Sequence, residues 1–117
     1  MEEMGQYVEI IPYKGKEIIY LNMNGLNEEQ QLQAIDETDR LFVTKNDILN
    51  MTDVGNTVTS PTVRERANHL HATHRARIKA QAVVGVSGLK RMIAKGMNKD
   101  MYFAKSLNDA KEWLVQQ

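Results

Sequence analysis

The 117-residue chain has no cysteine. That excludes disulfides, thiolate nucleophiles and cysteine-ligated metal sites. Proline is scarce, with two residues, and aromatic residues make up only 6%. No apolar run approaches the ~20 residues that a membrane-spanning helix needs. The start, Met1-Glu2-Glu3-Met4, is acidic where a secretory leader is basic and then apolar. The expectation is a cytoplasmic protein. Net charge is also missing, because 15 Lys and Arg balance 15 Asp and Glu.

That balance is global and not local. Residues 1–63 carry four Lys and Arg against eleven Asp and Glu, a net of −7, whereas residues 64–99 carry nine against one, a net of +8. The asymmetry has two readings. It marks a basic surface that steers an acidic partner, or it is a solvated basic helix lying beside an acidic one and tied to it by weak surface pairs. Hydrophobic residues make up 42% and charged residues 26%. With this length, the composition predicts a single globular domain over 1–117.

The patterning predicts an α/β fold. Tyr7–Ile11 and Glu17–Leu21 are rich in β-branched and aromatic residues and read as strands, with Pro12-Tyr13-Lys14-Gly15 as the turn between them. Asn27 and Gln30 have capping-box spacing, and Glu28 and Glu29 suit the first turn of the helix that follows. Asp47–Val54 is the next strand. Ser60-Pro61 then opens a second helix as N-cap and N1, with Val63, Ala67, Leu70 and His74 along one stripe. Ile78–Val86 is an uncharged apolar strand apart from Lys79 and Gln81, and its character suits the interior of a parallel or mixed sheet. Ser87 caps a helix reaching about Lys95, Met101–Phe103 is a short strand, and Ser106-x-x-Asp109 caps the last helix. The predicted order is β-β-α-β-α-β-α-β-α, about five strands in a mixed sheet with four helices.

Three segments carry a resemblance. They are Ile48-Leu49-Asn50-Met51-Thr52-Asp53-Val54, then Lys79 through Val84-Gly85-Val86-Ser87-Gly88-Leu89, then Phe103 through Ser106-Leu107-Asn108-Asp109-Ala110-Lys111-Glu112-Trp113-Leu114. With the element order, they make the chain resemble the SpoIIAA-like group, related to STAS and SEC14-type domains. STAS anti-sigma antagonists bind a kinase partner and are phosphorylated on a serine within an Asp-Ser-Ser/Thr-Gly-like motif. The matching stretch here, Asp53-Val54-Gly55-Asn56-Thr57-Val58-Thr59-Ser60, lacks that motif because no serine follows Asp53. SEC14-type domains imply a different use, an apolar ligand held against the sheet. The seven methionines would line such a pocket, or would fill a small core or a dimer surface.

The candidate surface residues are Asp53, Asn56, Ser60 and Ser87. Asp53 ends a strand where open α/β sheets often place ligands, and it equally suits an Asx-turn that closes the next loop. Ser60 is an N-cap, and it is also a position where a phosphate would be tolerated. Ser87 sits in Gly85-Val86-Ser87-Gly88, which fails the hydrolase Gly-x-Ser-x-Gly pattern because residue 89 is Leu. His69, His71 and His74 lack an acidic ligand at metal-site spacing and read as part of a basic helix with Arg64, Arg66, Arg75 and Arg77. The basic block has no interleaved aromatics and no nucleic-acid motif.

The expected function is a non-enzymatic binding or regulatory domain that acts through protein contacts. It uses no cofactor or metal, and homodimerisation is a further expectation. The alternative is a small-molecule or lipid-binding protein with a pocket between helices and sheet. An enzyme using Asp53 with a histidine is the weaker third reading.

Overall fold

The structure is a computed structural model that describes residues 7–55, 57, 59–85 and 101–117. Its strands are β1 (Val8–Tyr13), β2 (Lys16–Asn22), β3 (Ile48–Asp53), β4 (Ile78–Val84) and β5 (Met101–Ala104). Its helices are α1 (Glu28–Phe42), α2 (Pro61–Thr73) and α3 (Leu107–Val115). The five strands form one sheet in the order β1-β2-β3-β4-β5. β1 runs antiparallel to β2, and β2 to β5 are mutually parallel. This is the predicted mixed α/β sheet. The helix expected from Ser87 to Lys95 lies outside the described residues.

The first turn is tighter than expected. Pro12 and Tyr13 belong to β1, and Lys14 and Gly15 alone make the turn, with φ of 50° and 80°. Two consecutive positive φ values define the type I′ turn, whose twist matches the strands it joins. Pro12 is admitted because of the phase of the ladder. Asn22 N–H donates to the Tyr7 carbonyl at 3.1 Å, so in the ladder the amides of residues 9, 11 and 13 face β2. Pro12 falls on the side away from β2, where its missing donor costs no pairing with that strand.

Local signals account for the helix starts. In α1 the capping box is complete, with Gln30 N–H on the Asn27 side chain and Asn27 N–H on the Gln30 side chain. Ser60 accepts from Val63 N–H at the head of α2, and Ser106 accepts from Asp109 N–H at the head of α3. Each such cap is worth about 1 kcal/mol.

The strand order decides where the helices lie. The β2–α1–β3 and β3–α2–β4 crossovers each step one strand in the same direction. Right-handed crossovers of that kind put both helices on one face. There Val8, Ile19, Leu21 and Ile48 of the sheet bury against Ala34, Ile35 and Phe42 of α1 and Val63 and Leu70 of α2. The opposite face is closed by α3, whose Ala110 and Leu114 pack on Ile18, Leu49, Met51, Ala80, Ala82 and Ala104. The small side chains of Ala80, Ala82, Ala104 and Ala110 let α3 lie close to the sheet. Its flanks are tied at both sides. Tyr13 and Lys14 both donate to Glu112, Lys14 at 2.8 Å. On the other flank, Tyr102 stacks on Trp113 with centroids 4.5 Å apart, and its hydroxyl donates to Asp109 at 3.0 Å. The Lys14 ammonium, and then the Tyr13 hydroxyl, hold the Glu112 carboxyl below the usual range.

Candidate functional site

Of the predicted site residues, Asp53 and Ser60 belong to the carboxyl end of the parallel strands, where the loops after β2, β3 and β4 meet. Their backbones are stitched together. Met23 N–H donates to the Asp53 carbonyl at 2.9 Å and Val54 N–H to the Val84 carbonyl at 3.0 Å, which carries the ladder past the strand ends. Thr57 is buried between two loops. Its hydroxyl donates to the Met23 carbonyl and accepts from Gly25 N–H, both at 2.7 Å. Gly85 and Gly55 touch backbone to backbone. A Cβ on Gly85 would lie 2.6 Å from the Gly55 nitrogen, and Gly85 has a φ of +94°. Only glycine satisfies both conditions.

This geometry explains where β4 stops. The sequence predicts a strand running to Val86, but the left-handed conformation of Gly85 ends it at Val84. Glycine after a strand reads as flexible punctuation in sequence. Here it is a close approach between two loops.

Asp53 lies on the α3 face, in alternation with Leu49 and Met51, and its Oδ1 accepts from Gly55 N–H at 3.0 Å. That is the Asx-turn reading of this residue. Burial first, and then the neighbouring Asp53 and Glu9 carboxylates, push the half-buried Tyr20 hydroxyl above its ordinary range. Ser60 heads α2 on the other face, with its Oγ on Val63 N–H at 3.2 Å. Asp53 and Ser60 therefore flank one loop from opposite sides, and each holds a backbone amide. Asn56 and Ser87 lie outside the described residues.

The ligand-crevice argument for Asp53 needs a correction. Such crevices open where the strand order reverses and adjacent crossovers go to opposite faces. In the order β1-β2-β3-β4-β5 no reversal occurs, and α1 and α2 share a face. The position of Asp53 at a strand end therefore does not by itself make a crevice.

Two of the three histidines serve packing around α2, and His69 is exposed. His74 is buried, edge-on to Phe42 with centroids 5.5 Å apart. Arg77 Nη1 lies 3.2 Å from its Nδ1, and a guanidinium only donates, so Nδ1 is the acceptor. Its Nε2–H then donates to Asp39 of α1 at 2.6 Å. Burial pushes the His71 pKa down to about 4. Among the described residues, no group of three His, Asp or Glu is arranged to hold a metal ion, and no helix is long and apolar enough to cross a membrane. Part of the basic block is neutralised locally. Arg66 of α2 pairs with Asp36 of α1, and Arg64 Nη1 donates to the Thr59 carbonyl at 2.6 Å. A basic helix does lie beside an acidic one.

Sequence reasoning missed the Thr57 bridge, the Gly55–Gly85 contact and Tyr20. It also missed a pocket of about 310 Å³ at the opposite, amino end of the strands, lined by Lys16, Glu17, Lys45, Asp47 and Lys79 among others. Residues from β2, the α1–β3 loop, β3 and β4 converge there only through the sheet order.

No protein-family model matches the chain, and no curated protein matches it. Its fold is similar to the crystal structure of an uncharacterized protein from the DUF3478 family with a SpoIIAA-like fold, from Shewanella loihica PV-4. The TM-score is 0.73 at 16% sequence identity, over 92% of this chain and 91% of that one. At that identity the likeness concerns architecture, and the element order, the mixed sheet and the helix placement agree that this chain has a SpoIIAA-like fold.

Proposed function

We propose that this chain is a non-enzymatic binding or regulatory domain that acts through protein contacts at the carboxyl end of its sheet. One observation carries the reading. The loops after β2, β3 and β4 are interlocked by Thr57 and by the Gly55–Gly85 contact, while Asp53 and Ser60 use side-chain oxygens to hold backbone amides. A surface ordered in this way loses little conformational entropy on docking. Asp53 and Ser60 belong to that surface, and the sequence reading adds Asn56 and Ser87. Arg64, in the first turn of α2, would steer an acidic partner toward it. The relation to STAS domains, which work by docking, and a cytoplasmic setting belong to the same proposal.

The ligand-binding alternative draws on the SEC14 relation and the methionines. Two of these, Met23 and Met51, are buried one in each core cluster, where they serve as packing. Homodimerisation through the β1 edge is disfavoured by Pro12.

The test compares affinity capture by the native chain, an Asp53→Asn chain and an Arg64→Glu chain. Asn keeps the acceptor of the Asx-turn and removes only the charge. A protein held by the native chain and lost from both variants supports the docking surface, and identical capture by all three overturns it. Native mass spectrometry on gently purified protein gives the second readout. A retained small apolar molecule overturns the protein-contact reading in favour of the ligand model.

A further inference from the structure

The amino end of the sheet gathers positive charge for a topological reason. The β1–β2 turn, the ends of α1 and α2, and the starts of β2 and β4 all come to this end. They bring Lys14, Lys16, Arg40, Lys45, Arg75 and Lys79 together. Several carboxylates of the same end are already engaged: Glu112 by Lys14 and Tyr13, Glu17 by Lys45 at 3.3 Å, and Asp39 by His74. No ion pair among the described residues engages Lys16 or Lys79.

The 310 Å³ pocket sits in this setting. Its volume is at the lower end of the range typical of small-ligand sites. Three lysines line it from separate chain segments: Lys16 from the start of β2, Lys45 from the α1–β3 loop and Lys79 from β4. The Asn46 amide adds a neutral donor. Of the two lining carboxylates, Glu17 is paired with Lys45, and Asp47 is left to offset part of the charge of Lys16 and Lys79. Ile19, Ile48 and Leu49 also line it, each almost fully buried, Ile19 and Ile48 in the core on one face of the sheet and Leu49 in the core on the other. A concave site lined by three lysines and an asparagine selects a compact anion.

We propose that this pocket binds a small anionic ligand of the phosphate or carboxylate class, its charge held by Lys16, Lys79 and Asn46. The site lies at the end of the sheet opposite the proposed docking loops, so either proposal can fail while the other stands.

The test is an amide NMR titration of the full chain with phenyl phosphate, with benzoate and phenol run in parallel. Saturable shifts centred on Asn46 to Leu49 and Lys79, weakened by added salt, are expected. A Lys16→Gln or Lys79→Gln chain should bind about three- to tenfold more weakly, while Lys105→Gln, exposed after β5 at the far end, binds unchanged. Stronger shifts with phenyl phosphate assign the phosphate class, and stronger shifts with benzoate assign the carboxylate class. The proposal is overturned if no saturable shift appears at the pocket, if phenol binds as well as the anions, or if the lysine variants bind like the native chain.

Discussion

The two ends of the sheet are built on opposite principles. At the carboxyl end, loops from three strands are locked by backbone contacts that tolerate no added atom, and polar side chains are spent on holding that arrangement. At the amino end, long charged side chains surround an open pocket and form exchangeable surface pairs. Rigidity at one end comes from close approach of main chain. Charge at the other comes from where the helices and the hairpin terminate. A docking surface draws on the first property and capture of a small ion on the second.

The sharpest way to break this contrast is Gly85→Ala. The new Cβ meets the backbone of Gly55, and the residue is held at a positive φ, so a loss of about 2–4 kcal/mol is expected in denaturant unfolding. A loss below about 0.5 kcal/mol would mean that the carboxyl-end loops are not locked.

A medium effect is expected from His71 in the last turn of α2. Its folded pKa, about 4, lies below the ordinary histidine value of 6.5. The unfolded chain therefore binds the proton more readily. The stabilising contribution is fully present above pH 6.5 and is lost as the pH falls toward 4. Because the ring is half-buried, the loss is about 1–2 kcal/mol. Urea unfolding at pH 7 and pH 4.5 should show a smaller pH dependence in a His71→Asn chain than in the native one. Equal dependence in both would remove His71 as the cause.

The smallest effect sharpens the other half of the comparison. Lys16→Gln and Lys79→Gln should each change unfolding stability by less than about 0.5 kcal/mol, because both side chains are exposed. A loss above about 1 kcal/mol in either would show that the amino end, too, is held together by its polar side chains.

What was legible in the sequence was local. Asn27 with Gln30, Ser60 with Pro61, and Ser106 with Asp109 announce helix starts because a cap is satisfied within four residues. The β-branched and aromatic content of Glu17–Leu21 announces a strand, and the structure buries Ile18 and Ile19 on its two faces. Pro12 was misread as turn because its acceptability depends on which side of the ladder its nitrogen faces. Gly55 and Gly85 stand 30 positions apart, and nothing in either neighbourhood signals their contact. The pocket was hidden for the same reason. Lys16, Lys45 and Lys79 come together only once strand order is known.

The strand order also has a kinetic consequence. Every strand pairs with its neighbours in the chain, so no sheet contact has to close a loop longer than one crossover. Assembly can proceed as a succession of nearest-neighbour steps, the arrangement that keeps the mean sequence separation of contacts low and folding fast for a parallel sheet. The exception is α3. Its link from Glu112 to Tyr13 joins residues 99 apart. Closing the second face of the sheet is the step that carries the long-range entropy cost.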